Sequence, residues 1–121
     1  MQYLLLIYEA EEIWAGRSDA GKREVMQGHQ ALNGRLRADG VHYSGQPLMP
    51  TATAVSVRVR DGRRQVTDGP FAETKEQLAG FYLVDVATLD EALDYAALIP
   101  NAGTGVIEVR PVADHSGHLD G

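Results

Sequence analysis

The chain has 121 residues, no cysteine, and 17 acidic against 11 basic residues, which gives a net charge of −6. This length fits one domain with its own core, and the lack of cysteine excludes disulfides, thiol nucleophiles and thiolate metal sites. An acidic chain without a basic stripe is a poor nucleic-acid binder, and no apolar run approaches the length of a membrane-spanning helix. We therefore expect a cytoplasmic protein with no nucleic-acid or membrane partner.

The first third of the chain predicts one strand and one long helix. Residues 3–8 form a continuous apolar run, which is typical of a strand buried on both faces. Residues 9–17 are polar and predict a loop with about one helical turn. Residues 18–39 predict a helix capped by its first residue, with one face made of Val25, His29, Leu32 and Leu36. Gly28 and Gly34 lower the helix propensity of this segment. This indicates either that another element packs closely at these glycines or that the helix has low stability.

The middle of the chain predicts an edge strand followed by a β-hairpin. Residues 41–48 are weakly strand-like, and the glycine and proline among them favour an edge strand or a bulge. Residues 53–60 alternate valine with polar residues and lead into an Asp-Gly turn, so residues 63–68 form the return strand. This turn pairs Val55 with Asp68 and places both on the apolar valine face. A carboxylate there is costly unless it has a partner or faces a wet cavity.

The last third predicts a central strand, a capped helix and a final strand. Residues 69–78 turn and then form either a helical turn or an ordered loop. Residues 80–86 have the apolar pattern of a central strand. Thr88 begins a second helix through a capping box, and its buried stripe is expected to be Leu89, Ala92, Leu93, Ala96 and Ala97. Residues 105–112 predict the last strand, and the polar tail at 113–121 is expected to be disordered.

The order of these elements predicts a single α+β domain over residues 1–112. Two helices on one face of a mostly antiparallel sheet give a ferredoxin-like βαββαβ plan with an extra β-hairpin. Several strands are apolar on both faces, and two helices cover one face only. The simplest cover for the other face is a second copy packed sheet to sheet, so we expect a homodimer.

Residues 67–82, TDGPFAETKEQLAGFY, form the most distinctive motif of the chain. This motif resembles the DGPF signature of the YCII-related family. The flanking segments agree with the same family: the apolar run at 3–8, LRADG at 36–40, GQPL at 45–48 and IEVRP at 107–111. The resemblance covers residues 1–112 and implies a dimeric α+β barrel fold.

The resemblance also implies a His–Asp pair in a pocket beside the sheet. The family's aspartate falls on Asp68 of the DGPF motif, and its helix histidine falls on His29, eleven residues before Gly40. The family is similar to muconolactone-isomerase-like barrels, and some members are linked to elimination chemistry on small oxygenated rings. DGPF members are also associated with extracytoplasmic-type sigma factors, which implies a regulatory association of that kind.

His29 and Asp68 are therefore the catalytic candidates. His29 can act as a general base near neutral pH, with an adjacent carboxylate fixing its tautomer. Its alternative role is that of a partly buried histidine satisfied by a neighbouring carbonyl. Asp68 can orient His29, act as an acid if it is desolvated, or serve as a turn residue that accepts backbone N–H bonds.

The ligand-binding candidates are Glu73, Lys75, Arg110, Phe71, Tyr8 and Tyr82. The cationic side chains can hold an anionic group, the carboxylate can act as acid or base, and the aromatic rings can line a pocket. The alternatives are core packing for the rings and local ion pairs for the charges, with Arg110 bound to Glu73, Glu76 or Asp68. The scarcity of histidine and the absence of phosphate-loop and nucleophile-elbow motifs predict no metal and no cofactor.

Three interpretations of function remain open. The first is a cofactor-free enzyme that isomerises or eliminates on a small polar or ring substrate through the His–Asp pair. The second is a non-catalytic dimeric module that binds a small ligand or a regulatory partner in sigma-factor signalling. The third is a barrel whose polar residues only stabilise the fold. An open cavity where His29 and Asp68 meet favours the first two, and a fully hydrogen-bonded His29 in a sealed interior favours the third.

Overall fold

The computed structural model describes residues 1–114. Its strands and helices, in chain order, are β1 (Gln2–Glu9), α1 (Glu11–Gly16), α2 (Asp19–Ala38), β2 (His42–Pro47), β3 (Val55–Arg60), β4 (Arg63–Asp68), β5 (Gln77–Asp85), α3 (Leu89–Ala97) and β6 (Val106–Pro111). Two short 3-10 turns lie at Thr51–Thr53 and Pro100–Gly103. Most of the tail predicted at residues 113–121 lies outside the described residues. Within residues 1–114, no helix is long and apolar enough to cross a membrane.

The main sheet has four strands in the order β2-β5-β1-β6, and every neighbouring pair is antiparallel. This order follows from two split β-α-β units whose strands interleave, which is the ferredoxin-like arrangement. The predicted α+β class and ferredoxin-like plan are therefore confirmed. The extra hairpin is also confirmed, and β3 and β4 form a separate two-stranded sheet.

The core lies between one face of the main sheet and helices α2 and α3. Alternate residues of β1 and β5 point toward the helices, because side chains of a strand alternate between its faces. The buried apolar side chains are Tyr3, Leu5, Ile7, Leu32, Leu36, Tyr82, Val84, Val86, Ala92, Ala96 and Ile99. The prediction of a buried stripe on α3 was wrong for Leu89, Leu93 and Ala97, which are exposed. The two small residues Ala92 and Ala96 face the sheet, and the leucines lie beside that contact.

The predicted helix ends match the structure. Ser18 caps α2, and its hydroxyl accepts a hydrogen bond from Gly21 N at 3.1 Å. Gly40 follows the end of α2 with a φ of 71°, the left-handed conformation that glycine adopts without strain. Thr88 caps α3 and accepts from Glu91 N at 3.2 Å, as in a capping box. The segment predicted as a loop with one turn instead holds the six-residue helix α1.

The hairpin has the register that its turn chemistry predicts. Asp61 and Gly62 have φ values of 53° and 73°, which is the pattern of a type I′ turn. Val57 therefore opposes Val66, and Val55 opposes Asp68. The valine face does not join the core, because its four valines are all exposed.

We expect Gly28→Ala to destabilise the fold and Gly34→Ala to stabilise it. A Cβ at Gly28 would lie 2.5 Å from Pro100 Cγ, whereas a Cβ at Gly34 would meet nothing within 4 Å apart from its chain neighbours and the backbone of its own helix. Overpacking against a rigid proline ring costs about 1–3 kcal/mol, more than the gain of up to about 1 kcal/mol from helix propensity. Urea unfolding midpoints of the two variants measure the difference. A shift in the same direction for both would contradict the close packing of α2 on the Pro100–Gly103 turn.

Candidate functional site

His29 lies on the inner side of α2, where it meets β5 and the turn Pro100–Gly103. Its Nδ1 lies 2.7 Å from Tyr82 Oη, and its Nε2 lies 2.9 Å from Asn101 Oδ1. The side-chain amide nitrogen of Asn101 donates to Glu9 Oε2 at 3.2 Å, which turns the amide oxygen toward the imidazole. The proton of a neutral His29 therefore sits on Nε2, and the Tyr82 hydroxyl donates to Nδ1.

Glu9, at the end of β1, anchors the other end of this hydrogen-bond chain. Its side chain is 3% exposed, and Arg17 donates to its two oxygens at 2.8 and 2.9 Å. The hydroxyl of Thr104 and the amide of Asn101 donate to the same carboxylate. The hydrogen bonds from Arg17, supported by those from Thr104 and Asn101, outweigh burial and lower the pKa of Glu9 to about 2. The carboxylate is therefore ionised at neutral pH.

Burial sets the protonation of His29 and Tyr82. It lowers the pKa of His29 below its usual value, although the hydrogen bond to Asn101 and the charge of Glu9 oppose this shift. It raises the pKa of Tyr82 to about 12. At neutral pH the pair is thus a neutral imidazole that accepts a hydrogen bond from a protonated phenol. Among residues 1–114, every buried side-chain nitrogen and oxygen has a partner.

The structure does not bring His29 and Asp68 together within the chain. The two ring nitrogens of His29 are held by Tyr82 and Asn101. Asp68 is exposed at the end of β4, opposite Val55, in a hairpin that pairs with no strand of the main sheet. Sequence could place Asp68 on a face of the hairpin but could not orient the hairpin relative to α2. The catalytic roles assigned to the two residues stay predictions.

The ligand-binding candidates of the β4–β5 loop lie on the surface. Phe71 is 82% exposed, and Glu73 and Lys75 are exposed as well. Phe71 borders a shallow cavity of about 380 Å³ together with Ser56, Val57 and Arg58 of β3. The loop therefore approaches the hairpin and lies outside the helix-covered core.

Two other ligand-binding candidates, Tyr8 and Arg110, share the sheet face that α2 and α3 leave uncovered. We call this the open face, and its central residues are Leu4, Leu6, Tyr8, Phe81, Leu83 and Arg110. Tyr82 points to the opposite, helix-covered face, where it meets His29. Within residues 1–114, the Arg110 side chain lies 3.9 Å from the Glu108 carboxylate and forms no ion pair with the expected partners Glu73, Glu76 or Asp68.

Sequence reasoning missed Glu9, Arg17, Asn101 and Thr104 as members of the polar network. One signal was present for Glu9, because it continues the inward alternation of Tyr3, Leu5 and Ile7. An acidic residue at such a position needs a buried partner. Its partners come from the connection between α1 and α2 and from the turn after α3, which local sequence patterns do not link.

A second concave surface lies beside this network. It is an open groove of about 710 Å³ between the first half of α2 and the Pro100–Gly103 turn. Arg17 and Thr104 lie at one part of its wall, and Val25, Leu98 and Pro100 form its apolar part. Within residues 1–114, no cluster of three or more potential metal ligands is present.

Two comparisons with known proteins agree with each other. A family model described as YCII-related domain matches residues 1–116. An uncharacterised protein of Rhizobium meliloti (strain 1021) is 44% identical over 115 residues, which covers 93% of this chain and 93% of that protein. Both matches extend over nearly the whole chain, so they include the network, the open face and the hairpin.

Proposed function

The chain belongs to the YCII-related family, and we propose that it is a homodimeric binding module for a small molecule with an apolar ring and an anionic group. The observation that carries this proposal is the open face. Its centre is a contiguous apolar patch of Leu4, Leu6, Phe81 and Leu83, paired across β1 and β5. The two long helices of the chain pack on the opposite face.

A second copy is the cover that best fits this patch. A contiguous apolar patch on a sheet marks an interface or a ligand site, and a two-fold dimer presents the same patch from both sides. Two such faces packed together would enclose an apolar chamber, which is the usual setting of a small-ligand site. The dimer thus supplies both the cover and the binding space.

The rim of the open face favours a ligand that carries an anionic group. Arg110, on β6, lies opposite Leu4 of β1, and its side chain is 71% exposed. Its contact with Glu108 is 3.9 Å long, so the fork of the guanidinium stays available to a planar carboxylate. Tyr8 lies on the same face and can contact an apolar ring edge-on or stacked. An aromatic carboxylate combines the two features.

Titration calorimetry with benzoate tests this ligand class, with acetate and benzyl alcohol as probes for the charge and the ring alone. We expect benzoate to bind more tightly than acetate or benzyl alcohol. Arg110→Gln should weaken benzoate binding by about tenfold, since a bidentate charged contact is lost. The matched control is Arg60→Gln at the hairpin tip, which should bind as the native protein does. Equal binding of all three probes, or an unchanged Arg110→Gln variant, would refute the ligand class.

The dimer itself has a separate test. Leu6→Asp places a charge at the centre of the open face, where burial against a second copy is costly. We expect sedimentation to show loss of the sheet-to-sheet dimer with the fold retained, because Leu6 lies outside the core between sheet and helices. Leu93→Asp, which places the same charge on the exposed side of α3, provides the control. A Leu6→Asp variant with the same assembly state as the native protein would refute the proposed dimer.

An acid–base enzyme is the second candidate, and one observation favours it. The neutral imidazole of His29 accepts a hydrogen bond from the Tyr82 hydroxyl at 2.7 Å, a distance within the reach that general acid–base catalysis requires. In this candidate His29 would be the base, after a substrate displaces Tyr82 from Nδ1. The network holds both imidazole nitrogens within the chain, as expected for polar residues that only stabilise the fold, so the binding module, whose site lies on the open face, is preferred. A regulatory link to extracytoplasmic-type sigma factors stays a prediction under either candidate.

NMR titration of His29 in the native protein and in Asp68→Asn separates the two candidates. We expect the pKa of His29 to lie below its usual value in the native protein and in Asp68→Asn. Burial is the main cause of this shift, and Asp68 is not in contact with His29 within the chain. We also expect nitrogen chemical shifts to show the proton on Nε2. A fall of about one unit in Asp68→Asn would mean that a carboxylate reaches His29 from a second copy, and would favour the enzyme.

A further inference from the structure

The apolar face of the hairpin is a surface that the fold leaves without a partner. Val55, Val57, Val59 and Val66 are 57%, 58%, 61% and 52% exposed. They share one face, because the register pairs Val57 with Val66 and side chains alternate along each strand. We call this face, with Arg64 and Asp68 at its two ends, the hairpin strip.

The charges of the hairpin strip are placed symmetrically about its centre. On β4, Arg64 and Asp68 stand two residues to either side of Val66, about 7 Å away in each direction. Val57 and Val66 form the middle one of the three residue pairs on this face. Within residues 1–114, neither Arg64 nor Asp68 forms an ion pair or a side-chain hydrogen bond.

We infer that the hairpin strip binds the hairpin strip of a second copy about a two-fold axis that crosses the strands at Val57 and Val66. Such an axis lies between the two faces and reverses the strand direction. It therefore sets Arg64 against the partner's Asp68, and Asp68 against the partner's Arg64. The valines then pack valine on valine between the two ion pairs. A two-fold axis parallel to the strands would instead gather both Arg64 side chains at one end and both Asp68 side chains at the other, which disfavours that stacking.

The remaining arginines of the hairpin do not interfere with this contact. Arg58, Arg60 and Arg63 lie on the opposite face, as their register positions show. They keep the outer side of the hairpin charged and hydrated, which disfavours packing on that side. The charge pattern thus distinguishes the two faces and selects one of them for self-association.

The contact at the hairpin strip goes beyond the dimer proposed above and uses a different surface. Two strands of six residues are about 20 Å long, so a pair of such faces buries less area than the roughly 1,200 Å² of a stable interface. The contact is therefore weak for isolated chains. It gains strength when it joins two preformed dimers, since each dimer carries two strips. The expected assembly is a tetramer that dissociates to dimers on dilution.

Sedimentation velocity over a wide range of concentrations, with variants of the full chain, tests this inference. We expect Val66→Glu to abolish the dimer-to-tetramer step. Arg64→Asp and Asp68→Arg should each weaken that step by about tenfold or more, because each reversal opposes like charges at both ends of the contact. The double variant Arg64→Asp with Asp68→Arg restores both pairs and should recover the native association. High salt should weaken the native step, since exposed ion pairs are screened.

Arg63→Asp, on the opposite face beside Arg64, is the matched control and should associate as the native protein does. An association step that Val66→Glu leaves unchanged, or a double variant as weak as the single ones, would overturn the inference. The inference would also be overturned if the native protein formed no species larger than a dimer and Leu6→Asp dissociated that dimer. That result would leave the proposed function standing. A dimer that Val66→Glu dissociates and Leu6→Asp does not would support this inference and refute the dimer of the proposed function. Unchanged thermal unfolding of each variant shows that its fold is intact.

Discussion

Replacing Arg17 by methionine should destabilise the fold by about 3–5 kcal/mol, the range found when one partner of a buried ion pair is removed. Methionine keeps most of the side-chain volume but leaves the Glu9 carboxylate, 3% exposed, without its cation. Thr104 and Asn101 would still donate to Glu9, but two neutral donors do not replace a bidentate guanidinium. Since a domain of this size is stable by about 5–15 kcal/mol, the loss is a large share of the total. Urea unfolding measures it.

Arg35→Met is the matched control for this variant. Arg35 donates to Asp39 at 2.9 Å, a distance similar to that between Arg17 and Glu9, but both members of this pair are exposed, at the C-terminal end of α2. Exposed pairs contribute little, so the control should unfold close to the native midpoint. A similar loss for both variants would show that burial is not what makes the Glu9–Arg17 pair matter. A negligible loss for Arg17→Met would show that the network is replaceable.

The free energy of unfolding should fall by about 3 kcal/mol as the pH drops from about 4.5 toward 2, because Glu9 must then be protonated. The Arg17 hydrogen bonds lower the pKa of Glu9 from 4.5 to about 2 in the folded protein. A group whose folded pKa is lowered contributes stability above its unfolded pKa, and that stability disappears as the pH falls through the folded pKa. Denaturant unfolding at a series of pH values measures the slope.

The Glu9→Gln variant provides the comparison for this acid sensitivity. It is less stable at neutral pH, but it should lack the part of the pH slope below about 4.5 that Glu9 supplies. His29 contributes a separate step, because burial lowers its pKa and its stabilising contribution is lost as the pH falls below its unfolded value. That step should remain in Glu9→Gln. A slope below pH 4.5 equal to that of the native protein would mean that other carboxylates account for it.

Much of the fold could be predicted because its signals are local. The Asp61-Gly62 turn determines the complete register of the hairpin, down to the pairing of Val55 with Asp68. Ser18 and Gly40 mark the ends of α2, since a cap acts within one turn of helix. The family match and the observed sheet order agree with the α+β plan drawn from the order of elements.

The candidate site was harder to predict because its contacts are long-range. His29 was placed correctly on the inner face of α2, but its hydrogen-bond partners Tyr82 and Asn101 are 53 and 72 residues away in the chain. No periodicity or turn rule connects such positions. Asp68 shows the converse case, in which a correct local register does not determine where the whole hairpin sits relative to the sheet.

The sheet order affects how this protein folds while the ribosome is synthesising it. β1 is synthesised before both of its neighbours in the sheet, β5 and β6, which follow the hairpin in the chain. Its apolar run therefore stays unpaired until those strands have been synthesised, whereas the hairpin of β3 and β4 can form earlier. Long-range pairing of this kind slows folding and leaves an aggregation-prone segment exposed in the nascent chain. We expect truncated chains that lack β6 to need a chaperone that shields residues 3–8.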